Sequence, residues 1–220
     1  MFQQNYLKKN QINEYKNNGF IIIRNIFKPW IKTLKLGFKK VLENPGIHAR
    51  ENVNSNFSGR FFEDYCNWQR IHEFRNCIEK SAGAQIVAEA TKSKSIQIFH
   101  EHIFIKDPDT NKATPWHQDM PYYCLDGNDT GSYWIPLDHV DNENTLQLIL
   151  GSHKWPKLVR PTKWSNNKPW YKNKNQFMDM PNIEKIKDKI IKPDLNIGDA
   201  ILFNFKTVHG SSANNSKNKR

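Results

Sequence analysis

The residues best suited to chemistry lie in the stretch TPWHQDMPYY, Thr114 to Tyr123, where His117 and Asp119 flank Gln118. On a β-strand, positions i and i+2 project to one face, so His117 and Asp119 would point together and Gln118 away from them. An imidazole nitrogen and a carboxylate oxygen placed that way can take adjacent positions on a single metal ion. A third ligand has to come from elsewhere, and the best candidate is His209, read at the end of the strand AILFNFKTVHG. Two histidines and a carboxylate on one face of an octahedral metal leave three positions open, the arrangement non-haem iron(II) oxygenases use for a bidentate cosubstrate and dioxygen. An H-x-D triplet also arises by chance, and a lone strand histidine is more often a surface or hydrogen-bonded core residue than a ligand. Its surroundings must decide.

The elements that would position these residues fall into two rhythms. With 220 residues, 37% hydrophobic and 12% aromatic, the chain can fill one core, and a single domain over 1–220 is expected. Residues 1–92 read as helix-rich: INEYKNNGF ends a helix at Gly19, and PWIKTLKLGFKKVLEN, NWQRIHEFRNCIEKS and AQIVAEATKS have apolar residues at helical spacing, with FIIIRNI as a strand. From Lys94 the period changes to two. SIQIFHEHIFIK, GSYWIPLDHV, TLQLILG and GDAILFNFKTVHG read as strands of a sandwich or barrel over 93–220. A polar insertion rich in Pro, Asn and Trp, about 153–192, exceeds ordinary loop length and reads as a lid or insertion. The fold class is therefore α+β.

Charge and cysteines restrict the other possibilities. The formal charge of +11 and pI near 9.5 would suit a polyanion, but the lysines are spread among asparagines rather than clustered, so no specific nucleic-acid partner is expected. Cys66, Cys77 and Cys124 are odd in number and lack CxxC spacing, which indicates reduced thiols and a cytoplasmic location. No stretch reads as a signal peptide or membrane span. GxSxG, P-loop and GxGxxG patterns are missing, which removes the footing for hydrolase, NTPase and dinucleotide-enzyme readings.

The blocks NGFIIIRNIF, IFHEHIFIKDPDTNKATPWHQDMPYY, YWIPLDHVDNENTLQLILGSHKW and NIGDAILFNFKTVHGSSANNSKNKR occur in that order, and the last histidine is followed by G-S-x-x-N-x-S-x-x-x-R. In these blocks, across nearly the whole chain, the sequence resembles the phytanoyl-CoA dioxygenase family of iron(II)- and 2-oxoglutarate-dependent oxygenases, and looks most like its bacterial branch. The resemblance implies a double-stranded β-helix (jelly-roll, cupin-like) core flanked by N-terminal helices. It also implies iron(II), 2-oxoglutarate and dioxygen acting on a small-molecule substrate, with no membrane partner and an open oligomeric state.

Carried over position by position, the resemblance makes His117, Asp119 and His209 the iron ligands, Arg220 the grip on the distal carboxylate of 2-oxoglutarate, Ser211 a hydroxyl helping it, and Trp134 a wall of the cosubstrate pocket. Strand alternation aims His100, His102, Phe104 and Lys106 to one side. His100, His102, Gln118 and Tyr122 are the substrate-contact candidates, and each of them alone reads equally as ordinary structure. Trp116 and Tyr123 could shape the pocket, and His153 reads as a loop-fixing hydrogen bonder. Family members ordinarily continue beyond the arginine with a further strand and a tail. The expectation is therefore a fragment whose iron triad is intact and whose 2-oxoglutarate binding is weakened. The alternative on the same fold is a non-catalytic jelly-roll that binds a metal or small molecule.

Overall fold

The computed structural model describes residues 5–52, 59–140, 142–164, 168–172, 175–214 and 216–217. Two antiparallel sheets make its centre. One has the order β1 (Phe20–Ile23), β11 (Ala200–Phe203), β6 (Ser132–Trp134). The other has the order β10 (Ile190–Ile191), β7 (Gln147–Ile149), β12 (His209–Ser211), β5 (Thr114–His117). Because side chains alternate along a strand, β1 and β11 can be apolar on both faces, and the runs FIII and AILF are. Phe20, Ile201 and Phe203 pack inward with Leu146, Leu148 and Leu195, with Trp134 and Ile191 partly buried against them. Ile21, Ile23 and Leu202 point to the other face. There they meet Tyr15 of α1 (Lys9–Asn18) and Ile86, Val87 and Ala90 of α4 (Gly83–Thr91).

A third sheet, β2 (Arg50–Asn52), β3 (Phe61–Tyr65) and β4 (His102–Lys106), is also antiparallel. Phe62, Ile103 and Ile105 on one face pack with Val41 of α2 (Ile31–Glu43) and Phe74 of α3 (His72–Lys80). The alternate residues His102, Phe104 and Lys106 are left for the opposite face. A short parallel pair, β8 (Leu158–Val159) and β9 (Phe177–Met178), lies within the polar insertion. The fold is thus mixed helix and sheet, and among the described residues the strands do not close into a barrel. No described helix is long and apolar enough to cross a membrane.

Three strand readings need correction. AILFNFKTVHG is two strands on two different sheets, because Asn204 turns the chain between them. Its side-chain oxygen accepts from Lys206 N at 2.9 Å, its carbonyl accepts from Thr207 N at 2.8 Å, and its amide donates to Asn128 O at 2.7 Å. SIQIFHEHIFIK pairs only from His102, opposite Tyr65 at the end of β3. The Glu101 carboxylate just before it is taken by Asn67 N and Trp68 N at 2.5 and 2.9 Å. The reading also missed β3 itself, whose FFEDY alternates too little to announce a strand.

Candidate active site

β5 and β12 carry the site between them. His209 is paired with His117 and Ser211 with Thr114, so three residues of β5 are spanned by two of β12. The ladder therefore holds a bulge at Pro115–Trp116, where a proline costs no ladder hydrogen bond. Residues three apart on a regular strand face opposite sides. The bulge instead lets Thr114 and His117 both line the cavity, while Trp116 packs against the core cluster of Ile149, Val159 and Val208. Opposite the bulge stands Gly210, where a Cβ would lie 3.0 Å from Thr114 O and 3.3 Å from Trp116 N. Only glycine fits that approach without displacing a strand.

Asp119 reaches the site differently from the strand alternation expected for it. β5 ends at His117, and Asp119 has φ −71° and ψ −43°, immediately before the 3-10 turn Met120–Tyr122. That turn is pinned by Gln118. Its buried amide donates to Lys206 O at 2.5 Å and its oxygen accepts from Val159 N at 2.7 Å, while Met120 N donates to Phe205 O at 3.0 Å. Gln118 therefore points away from the metal candidates and into backbone. Both of its polar atoms are occupied there, which does not fit substrate contact.

The three donors converge. The Nε2 atoms of His117 and His209 lie 3.4 and 3.6 Å from Asp119 Oδ1, and the set of donor atoms falls within 4.8 Å. Nitrogen and oxygen donors about 2.1 Å from one ion stand ~3 Å apart when adjacent, so small movements would close the set on a cation. The same local device orients both rings. Nδ1 of His117 meets Pro115 O at 2.8 Å and Nδ1 of His209 meets Thr207 O at 2.9 Å, in each case the carbonyl two residues upstream. Each Nδ1 therefore carries the proton and leaves the Nε2 lone pair for a metal. Burial, with His117 adjacent, pushes the His209 pKa down to about 4, so the ring is neutral and competent to ligate. Burial works to raise the Asp119 carboxyl, but His209, a hydrogen bond with His117, and the charges of His117 and His102 outweigh it and hold it below the usual carboxylate range. Ser132 Oγ donates to Asp119 Oδ2 at 3.4 Å. Two imidazoles that present their Nε2 atoms and one carboxylate, each steadied from behind, suit a divalent first-row ion.

A family profile described as Phytanoyl-CoA dioxygenase (PhyH) matches residues 15–220. The chain belongs to the phytanoyl-CoA dioxygenase family. The peroxisomal phytanoyl-CoA dioxygenase of Rattus norvegicus is 26% identical over 239 aligned positions, covering 98% of this chain and 67% of that protein. That of Homo sapiens is 23% identical over 237, covering 98% and 67%. Among solved structures, the non-haem α-ketoglutarate-dependent carbocyclase SnoK from nogalamycin biosynthesis superposes with a TM-score of 0.78 at 18% identity, over 98% of this chain and 81% of that one. EctD from S. alaskensis, with 2-oxoglutarate and 5-hydroxyectoine, superposes with a TM-score of 0.73 at 16% identity, over 100% and 75%. The structural likenesses speak to the fold; the family makes the chain an iron(II)- and 2-oxoglutarate-dependent dioxygenase.

The triad of this family member opens onto a cavity of about 1770 Å³. His100, His102, Phe104, Tyr122, Tyr123, Trp134 and Trp164 contribute to its lining. Burial and the neighbouring His102 push the His100 pKa down to about 4. Burial, with Asp119 nearby, keeps the Tyr123 hydroxyl protonated. Tyr122 stands edge-on to His117 at 5.9 Å between ring centres, and its hydroxyl donates to Thr162 O at 3.0 Å and accepts from Thr162 N at 2.9 Å. This draws the insertion over the site and seats Trp164 4.9 Å from the His117 ring. His153 Nε2 meets Lys16 O at 3.1 Å, and His153 is not one of the converging donors. Two buried ring nitrogens of the lining, His102 Nε2 and Trp164 Nε1, have no hydrogen-bond partner among the described residues, His102 Nε2 lying 3.6 Å from the Glu63 carboxylate, as expected of a wall built to meet a ligand.

Arg220 lies outside the described residues. Ser211 is at the cavity, and its hydroxyl accepts from Lys106 Nζ at 3.1 Å. Sequence reasoning assigned no role to Lys106, Thr114 or Trp164. The alternation of β4 was a usable signal for Lys106; for Trp164, in a stretch without periodicity, there was none.

Proposed function

We propose that residues 1–220 act as one oxygenase domain that hydroxylates a small organic molecule held in the cavity. Helix-rich residues 1–92 would buttress a jelly-roll core in 93–220, with the insertion at about 153–192 as a cover. The overall reaction is balanced as substrate C–H, 2-oxoglutarate and dioxygen going to substrate C–OH, succinate and carbon dioxide. Iron(II), when bound by His117, Asp119 and His209, supplies the activation of dioxygen and the oxidative decarboxylation of the 2-oxo acid. The protein's own residues hold the geometry. Pro115 and Thr207 carbonyls fix the two imidazoles, the Gln118 clasp sets Asp119, and Tyr122 with Trp164 closes the insertion over the centre, limiting water. The single observation that carries the reading is the convergence of two Nε2 atoms, each with its Nδ1 anchored, on one oxygen of a single carboxylate.

Conversion of 2-oxoglutarate to succinate by the iron(II)-loaded protein in air, without added substrate, tests it. Slow stoichiometric succinate formation is expected. Iron binding with no succinate formed would instead point to a non-catalytic metal-binding jelly-roll.

A further inference from the structure

We propose that the insertion is a docking surface for an anionic lipid membrane, and that docking sets the mouth of the cavity against the bilayer. Lysines are spread along the whole chain, but the net charge is not. Residues 154–178 hold seven Lys or Arg and no Asp or Glu. The rest of the chain then has 26 basic against 22 acidic residues, so +7 of the net +11 sits in this one segment and +4 in all the others. Lys154, Lys157, Lys163, Lys168 and Lys172 are exposed. Arg160 is paired with Asp179 at 3.0 Å. The ammoniums of Lys154 and Lys157 instead reach neutral oxygens, Asn17 Oδ1 at 3.5 Å and Asn175 O at 3.0 Å, which do not cancel their charge.

Large aromatic side chains stand among these charges. Trp170 is 55% and Tyr171 50% exposed. Backbone pairing holds them in place: Trp170 N donates to Pro161 O at 3.0 Å and Lys163 N to Lys168 O at 2.8 Å. Lys163 Nζ stands 5.2 Å from the centre of the Trp170 ring, and Tyr171 lies parallel to Phe177 of β9 at 5.7 Å. Trp and Tyr rings, apolar with a polar tip, settle at the headgroup level of a bilayer, where lysines beside them meet anionic lipid. Single-stranded nucleic acid would stack its bases on open ring faces. Here one face of each ring is already covered, by Lys163 and by Phe177, which favours lipid. Thr162, Lys163, Trp164 and Trp170 also line the cavity, so the charged and aromatic surface is its rim. Adsorption of this kind needs no membrane-spanning segment.

Sedimentation of the iron(II)-loaded full-length protein with vesicles tests the proposal, using phosphatidylcholine alone and phosphatidylcholine with about a quarter phosphatidylglycerol. Binding to the anionic vesicles is expected at about 0.1 M salt, and binding at least ~10-fold weaker to the neutral ones or at about 1 M salt, where screening is short. Lys163→Gln combined with Lys172→Gln should weaken anionic binding by roughly 10- to 30-fold, with Tm close to wild type. Vesicles of brominated phosphatidylcholine and phosphatidylglycerol should quench tryptophan fluorescence, and Trp170→Phe should remove most of that quenching. No binding to anionic vesicles, or binding that survives both lysine changes, overturns the proposal. Quenching unchanged in Trp170→Phe does so as well, because another face then meets the lipid. Tighter binding to single-stranded oligothymidine than to the vesicles also overturns it. If the lysine variant does not fold, the salt dependence of the wild type and the Trp170→Phe quenching decide. None of these readouts involves turnover, so they stand apart from the oxygenase reading.

Discussion

On one wall of the cavity, His117 and His209 face each other across paired strands, each ring fixed to the carbonyl two residues before it. Elsewhere in the lining, Trp164 Nε1 has no hydrogen-bond partner among the described residues, and His102 Nε2 meets only the Glu63 carboxylate, at 3.6 Å. The first arrangement is set by backbone: a ladder, a bulge and a clasped turn leave the donors one direction to point. The second is set by side chains on β4 and on the insertion, with hydrogen-bonding capacity left over. A centre that must hold a metal gains from over-determined geometry. A wall that must accept a substrate gains from donors it does not satisfy itself. The common reaction and the particular substrate are therefore expected to be encoded in different parts of the chain.

Breaking the ladder side should have the largest effects. His209→Ala removes a ligand, and iron affinity should fall by more than the roughly 10- to 100-fold that loss of an outer supporting contact costs, read by anaerobic iron(II) titration. Gln118→Leu leaves Val159 N and Lys206 O unpaired. At about 1–3 kcal/mol for each buried group, thermal unfolding should show a clear loss of stability, with iron affinity down by roughly 10- to 100-fold as Asp119 loses its support. Gly210→Ala should lower stability by about 1–3 kcal/mol, because the added Cβ meets β5 backbone; a Tm equal to wild type would remove the bulge argument.

A smaller effect comes from pH. His209 and His100 stay neutral in the folded chain down to about 4, whereas in the unfolded chain a histidine takes its proton near 6.5. Below pH 6.5 the unfolded state thus binds more protons, and the metal-free protein should lose stability progressively as pH falls toward 4. Tm measured from pH 7 to 4.5 checks the direction. The smallest effect should come from the other wall: Trp164→Phe removes an unpartnered N–H and keeps the ring, so iron and 2-oxoglutarate affinity should not change. Substrate KM, once a substrate is in hand, should rise by roughly 2- to 10-fold.

The same contrast explains what could be read from the sequence. Residue type and order were enough to nominate His117, Asp119 and His209, although the reason given for Asp119, alternation along a strand, is not how the chain delivers it. A turn pinned by Gln118 does that, through contacts to Lys206 and Val159 that are invisible locally. The core strands β1 and β11 were legible because FIII and AILF are unbroken apolar runs. Where one of them ended was not, since the turn after Phe203 depends on Asn204 reaching Asn128. β3 was lost because its pairing with β4, not its composition, makes it a strand. Trp164 reaches His117 only through Tyr122 and Thr162, a tertiary contact with no periodic trace.

The central claim is that His117, Asp119 and His209 form one iron site that presents a chelatable face to 2-oxoglutarate. Anaerobic titration of iron(II) into the protein with 2-oxoglutarate present tests it most directly. A weak visible charge-transfer band that saturates at one iron per chain, and that is lost in His209→Ala, is the expected result. No band at saturating iron, or an equal band in His209→Ala, would contradict it.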